Sequence, residues 1–304
     1  MNSNLTIDIS KADVSDADMH KYLFSNYAED ISIDNVINGL VNYDLNDFES
    51  PVLSDEKKIG SGAFADIFKV LHKNGKEMAV KIMKTKNTTN NFHFYHEVNT
   101  LKQLNHSNIV KFYGVIKGEI NGIVLEYYRN GNLKYLLENW KEEFSKNTKN
   151  WILNIASALL AIHKINFVHG DVNPCNILLS NDYSNAILCD FGSSKLSGKK
   201  PEAFAGLSCY RAPEINLSAL YVTKCDVYSF GIIMWEIFTR EPPYDTSKDD
   251  VELMWDLAYT DLKPDLTNPK IPLEYKRIIS LCIEKNLDDR ISTEMLYEEL
   301  IKNA

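Results

Sequence analysis

The sequence predicts an α+β chain of two unequal lobes, a small lobe of β-strands carrying one helix followed by a larger, mostly helical lobe. Three observations predict it. Strand-like runs separated by turn residues crowd the stretch from Glu56 to Tyr128. Beyond Asn130-Gly131, apolar residues recur at helical spacing instead. Ahead of both lies a stretch of different composition, rich in Asn, Asp and Ser.

That leading stretch, residues 1–52, holds ten acids (Asp8, Asp13, Asp16, Asp18, Glu29, Asp30, Asp34, Asp44, Asp47, Glu49) against Lys11 and Lys21. Its net charge is −8 of the chain's −9, which leaves the remainder close to neutral. No helical period is sustained across it, although a helix near Asp16–Tyr27 is conceivable. The expectation is an acidic extension, disordered in part, with partner docking or autoregulation as its sharper reading. Residues 53–304 form the folded domain, divided into lobes at 53–129 and 130–304.

From Glu56, IGSGAFADIFKVLHKNGKEMAVKIM reads as three strands, with a Gly-rich turn after the first and Asn74-Gly75 as a hairpin signal after the second. FHFYHEVNTLKQL places Phe94, Val98, Leu101 and Leu104 on one helical face. IVKFYGVI and GIVLEYY supply two further strands, making five. In the second lobe, TKNWILNIASALLAIHKI and VTKCDVYSFGIIMWEIFT are apolar on more than one face and read as buried helices. IPLEYKRIISLCIE and STEMLYEELIKN close the domain as amphipathic helices, the last with Ser292 and Glu294 at its acidic start.

Composition excludes several function classes. Hydrophobic residues at 44% and charged residues at 25% over 304 residues are ordinary for a globular domain. No apolar run approaches the ~20 residues that cross a bilayer, and the first residues lack the basic-then-apolar order of a signal peptide. A cytoplasmic protein is expected. An acidic balance gives no footing for nucleic acid or an anionic membrane. The five cysteines (Cys175, Cys189, Cys209, Cys225, Cys282) stand singly, as free thiols in a reducing compartment do.

Five constellations carry chemistry, in one order. Gly60-Ser61-Gly62-Ala63-Phe64-Ala65 lies between two strands, where glycines let backbone N–H groups approach phosphate oxygens. Met78-Ala79-Val80-Lys81 places a lysine on the next strand, and Glu97 on the following helix is an acid that can hold its stem. His169-Gly170-Asp171-Val172-Asn173-Pro174-Cys175-Asn176 follows the first buried helix. Asp171 there can accept a hydroxyl proton and Asn176 can ligate a metal ion. Asp190-Phe191-Gly192 ends the strand AILC with a carboxylate suited to Mg²⁺. Ala212-Pro213-Glu214 precedes the helix that contains Asp226. Each motif alone is common.

Together, in this order and across about 250 residues from Glu56 onward, they resemble the signature set of the eukaryotic protein kinases. LEYYRNGNL and DVYSFGIIMWEIFTREPPY are similar to the tyrosine-kinase-like group of that family. The resemblance implies the bilobal protein-kinase fold with a five-stranded antiparallel sheet, ATP and Mg²⁺ as cofactors, and a protein substrate. It implies that Lys81, held by Glu97, contacts phosphates, that Asn176 and Asp190 hold Mg²⁺, and that Asp171 orients the substrate hydroxyl. The loop Gly60, Ser61, Gly62, Ala63 and Phe64 would cover the phosphates. Adenine would lie between Ile59, Ile67, Ala79 and Leu178, with Glu126 and Tyr128 as hinge partners and Leu125 guarding the back pocket. Leu101, Phe112, His169 and Phe191 match a stacked apolar spine, and Glu214 with Arg290 matches a structural ion pair.

The sequence also departs from the family. Ala65 replaces the third glycine of the loop. Gly170 replaces the arginine that binds an activation-loop phosphate in many members, so Ser193, Ser194, Ser197 and Ser208 are not expected to form an obligatory switch. Asn173 stands where serine/threonine kinases carry a lysine, Cys175 where many tyrosine kinases carry an arginine, and Leu207 where a threonine is usual. Loss of that cation predicts slow transfer. The leading expectation is a protein kinase directed to Ser/Thr hydroxyls more than to Tyr. A nucleotide-binding pseudokinase and a small-molecule kinase of the aminoglycoside-phosphotransferase type remain as alternatives.

Overall fold

Ile67, Phe68 and Val70 in Ala65–Leu71 (β3) and Val80 and Ile82 in Glu77–Met83 (β4) favour extended backbone, and the turn between the two strands closes on Gly75 at φ +85°. That left-handed backbone is open to glycine at no steric cost, which is why Asn74-Gly75 makes a hairpin there. A computed structural model describes residues 36–84, 88–199, 208–217 and 220–303, and the helix expected near Asp16–Tyr27 lies outside them. Its first lobe is a six-stranded sheet in the order β1-β5-β6-β4-β3-β2. The remaining strands are β1 (Asn42–Tyr43), β2 (Lys58–Ser61), β5 (Phe112–Lys117) and β6 (Asn121–Glu126).

Five of these strands pair antiparallel, as the sequence predicts. The sixth, β1, pairs parallel with β5 and comes from the stretch read as an acidic extension. Its close approach needs Gly114, where a Cβ would stand 2.2 Å from the Val41 carbonyl oxygen. The same stretch buries Val36 against the main core, while Phe48 covers Val70, Val80 and Val124 on the outer face of the sheet. Hydrophobic burial thus overrides the polar composition around these few residues.

Helix α1 (Thr88–Lys102) packs on the inner face through Phe94, Val98 and Leu101, all buried. Lys102 at its last turn donates to the carbonyls of Val36 and Asn38 at 3.5 and 3.2 Å. The link to the second lobe follows directly: Val110 donates to the Leu188 carbonyl, and Leu188 to that of Asn108, both at 2.8 Å.

The second lobe contains α2 (Leu133–Glu138), α3 (Thr148–Lys164), α4 (Pro213–Asn216), α5 (Thr223–Thr239), α6 (Asp250–Tyr259), α7 (Leu273–Cys282) and α8 (Thr293–Lys302). Every residue of α5 from Cys225 to Thr239 is buried, the pattern expected of a helix apolar all round. Two ribbons lie above it, β7 (Phe167–Val168) with β10 (Lys195–Leu196) and β8 (Ile177–Leu179) with β9 (Ala186–Leu188). Ser292 caps α8 by accepting from the Met295 N–H at 3.3 Å. Among the described residues no helix is long and apolar enough to cross a membrane, and the five cysteines are free thiols.

Candidate active site

Lys81 sits on β4 opposite Ile67 of β3 and Ile123 of β6, so its side chain leaves the inner face of the sheet toward α1. Its Nζ lies 2.6 Å from Glu97 Oε2 and 2.8 Å from Asp190 Oδ1. One ammonium therefore joins the sheet, the helix and the turn after β9. Burial opposes the charge on Lys81, but Asp190 and Glu97 outweigh it and raise its pKa. The Lys81 charge in turn holds the Asp190 carboxyl below the usual aspartate range.

Asp190 adopts φ +61°, a conformation that aims its carboxylate back at Lys81 while the Gly192 N–H donates to Oδ1 at 3.3 Å. A Cβ at position 192 would stand in ordinary contact with Asp190 Oδ1 at 3.4 Å and Glu97 Oε2 at 3.5 Å, so Gly192 lies directly against the two carboxylates. Phe191 is fully buried and meets the His169 ring edge-on at 5.0 Å, with Leu101 buried in the same core and Phe112 packed against it.

Asp171 is gripped from two sides. Asn173 Nδ2 donates to its Oδ1 at 2.8 Å and Asn176 Nδ2 to its Oδ2 at 2.9 Å. Burial pushes the Asp171 carboxyl up, against the pull of His169 and the two asparagines. The loop itself hangs from Asp226 at the start of α5, which accepts from the N–H groups of His169 (2.7 Å) and Gly170 (2.9 Å) and contacts His163 Nε2 at 2.9 Å. Sequence reading gave Asp226 no role. Its signal was a carboxylate at the start of a mostly apolar helix, which must be paired when buried.

The Gly-rich turn runs from β2 into β3 and is closed by the Gly62 N–H donating to the Ala65 carbonyl at 2.8 Å. Phe64 at its tip stacks on His93 of α1, rings 4.1 Å apart. Ala65 is buried and pairs with Met83, so a side chain is accommodated where the family usually has glycine. Gly60 faces Ile67, and Ala79 faces Leu125 across the β4–β6 ladder. Leu178 bridges to Asn132 beneath the crossover. The Glu126 N–H is bound to the Lys111 carbonyl at 2.9 Å, and the Tyr128 hydroxyl donates to the Glu126 carboxylate at 2.8 Å.

A divalent cation fits this donor set. Asn176 directs its Nδ2 at Asp171, which leaves its Oδ1 as a hard oxygen donor, and Asp190 Oδ2 takes no hydrogen bond among the described residues. Gly170, at φ +79°, has the Ser193 carbonyl 2.8 Å from where a Cβ would be. Ser194 and Ser208 are buried, the latter bonded to Asp250. Leu207 lies outside the described residues. Glu214 and Arg290 form a two-pronged pair at 2.6 and 2.9 Å that fastens α4 to the segment before α8.

The protein kinase domain matches residues 53–300. The chain is 33% identical over 261 residues to a seven transmembrane domain-containing tyrosine-protein kinase of Dictyostelium discoideum, covering 81% of this chain and 38% of that one. It is 31% identical over 269 residues to a mitogen-activated protein kinase kinase kinase 7-like protein of Drosophila melanogaster, covering 84% and 66%. A protein of Clostridium acetobutylicum named as a probable serine/threonine-protein kinase is 31% identical over 245 residues, covering 77% and 37%. The chain thus spans between 37% and 66% of the length of these relatives. With its β lobe, its helical lobe and a match that runs through both, this chain belongs to the protein kinase family.

Proposed function

We propose that the chain is an active, Mg²⁺-dependent protein kinase that transfers the γ-phosphoryl group of ATP to serine or threonine hydroxyls of proteins. The single observation that carries this reading is the chain Glu97–Lys81–Asp190, closed at 2.6 and 2.8 Å. A scaffold would need none of it. Lys81 and the loop from Gly60 to Phe64 position the triphosphate below the sheet. Asn176 and Asp190 would hold Mg²⁺, which would neutralise the charge of its terminal groups. Asp171 orients the acceptor hydroxyl and takes its proton as the hydroxyl oxygen bonds the γ-phosphorus. The bond from that phosphorus to the bridging oxygen breaks, and its electron pair leaves with ADP. Adenine is assigned to the space between Ile59, Ile67 and Ala79 above and Leu178 below.

Independence from an activation-loop phosphate is part of the reading. Gly170 offers no cation, and two of the four candidate serines are buried. The preference for Ser/Thr over Tyr rests on sequence likeness alone, and phosphoamino-acid analysis of the product decides it.

The test compares wild type with Asp171→Asn, using Mg²⁺-ATP and a generic protein acceptor. Transfer by wild type that falls at least ~10²-fold in the variant, the scale of losing a general base, supports the reading. If both proteins transfer equally little while ATP still raises the melting temperature, the chain is a nucleotide-binding scaffold instead.

A further inference from the structure

We propose that Asn173 is a positioning residue for phosphoryl transfer: it fixes one oxygen of the Asp171 carboxylate with a neutral amide, as Asn176 fixes the other. The inference rests on the kinase reading above and concerns how its base is held. Sequence alone makes Asn173 a lost cation. The structure gives it a job.

Asn173 is 3% exposed, and both halves of its amide are engaged. Nδ2 donates to Asp171 Oδ1 at 2.8 Å and to the Asp171 carbonyl at 3.2 Å. Oδ1 accepts the Cys175 N–H at 2.9 Å and so starts the short helical turn Pro174–Asn176. The amide cannot be reversed, because a flip would set oxygen against the carboxylate and NH₂ against an N–H. Asn176 repeats the pattern from the far side, donating to Asp171 Oδ2 and to the same carbonyl, each at 2.9 Å. Each carboxylate oxygen thus has one fixed donor, which stops rotation of the group and leaves its remaining lone pairs in set directions.

The charged and titratable groups around Asp171 are His169 and Cys175 on its own loop, Cys189 and Asp190 at the end of β9, and Tyr221, Arg211 and Asp226 around the small cavity beside it.

Three variants separate positioning from turn capping. Asn173→Ala removes donor and cap together. Asn173→Asp keeps an acceptor for the Cys175 N–H but puts a second carboxylate beside Asp171. Asn173→Lys restores a donor without the cap. For Asn173→Ala we expect kcat to fall about 10- to 100-fold, the worth of a hydrogen bond to a charged group, with the KM for ATP little changed. Asn173→Asp, which keeps the cap but loses the donor, should fall at least as far, and Asn173→Lys should recover part of the loss. The Asn173 side-chain amide protons, assigned by their loss in Asn173→Ala, should exchange slowly with solvent in wild type and faster in Asp171→Ala. Melting temperatures of all variants check folding. If Asn173→Asp keeps the wild-type kcat, or Asp171→Ala leaves the exchange of the Asn173 amide unchanged, Asn173 is only a cap and the proposal is wrong. The amide exchange needs no turnover, so it decides this point even if wild type proves unable to transfer phosphate.

Discussion

Replacing Gly114 with alanine should unseat β1 from the sheet. The new Cβ would meet the Val41 carbonyl oxygen at 2.2 Å and its carbon at 3.0 Å, against backbone rather than a flexible side chain. Restoring ordinary contact takes a retreat of about 1 Å, which breaks the Val115 N–H to Val41 carbonyl bond of 2.9 Å and disturbs the pairing of Asn42 with Val115 and Tyr43 with Ile116. One or two backbone hydrogen bonds contribute about 1 kcal/mol each. Loosening Val36, 3% exposed, adds about 1–2 kcal/mol. The total is about 2–4 kcal/mol, or a melting temperature lower by about 4–12 °C for a domain of this size. Hydrogen exchange followed by mass spectrometry reads the local event. Peptides covering 36–48 and the Val115 amide should lose protection before the rest of the sheet does. An alanine variant with wild-type exchange in those peptides and a melting temperature within about 1 °C of wild type would refute the claim that β1 is part of the folded lobe.

Glu214→Gln leaves the Arg290 guanidinium buried without its carboxylate, although the carbonyls of Glu284, Lys224 and Lys285 still accept from it. Destabilisation of about 3 kcal/mol is expected in chemical denaturation, the low end for a broken buried pair, and Glu214→Leu with Arg290→Met together should recover part of it. His96 lies against the Ser194 carbonyl, and burial pulls its pKa down to about 4. The unfolded chain then binds the proton more readily than the folded one between about pH 4 and 6.5, so stability falls as pH drops through that window. His96→Gln keeps a donor and does not titrate. It should lose about 3 kcal/mol less than wild type between pH 7 and pH 4, and parallel stability–pH curves for the two would show that His96 does not titrate there.

The helices and central strands were legible because their signals are local. Phe94, Val98 and Leu101 mark one face of α1, and the unbroken apolar run of α5 marks a helix with no solvent side. The motif residues were legible for the same reason, since Lys81, Glu97, Asp171 and Asp190 stand in short recognisable strings. What escaped was set by distant partners. β1 is two residues long and carries no pattern of its own; it exists because β5 offers an edge and Gly114 lets a carbonyl come close. Helix α2 is held by Asn132 as its N-cap and by burial of Leu133, Leu136 and Leu137, too few residues to announce a period. Asp226 was in plain view, but its meaning depends on two backbone N–H groups 56 and 57 residues upstream.

Asn173 shows why a missing residue type is weaker evidence than a geometry. A lysine near the reacting groups would act in two ways, as a donor that orients the base and as a charge that steadies the transferred phosphoryl group. The first needs only a donor at about 2.8 Å, and Asn173 supplies it. The second needs a formal charge, which no amide carries. The two effects therefore separate in this chain, and they make opposite demands on Asn173→Lys. If charge is what is missing, kcat rises above wild type even though the turn loses its cap. If orientation dominates, the longer and more mobile lysine holds Asp171 less well and kcat falls, because a displaced base costs rate that a nearby charge does not return.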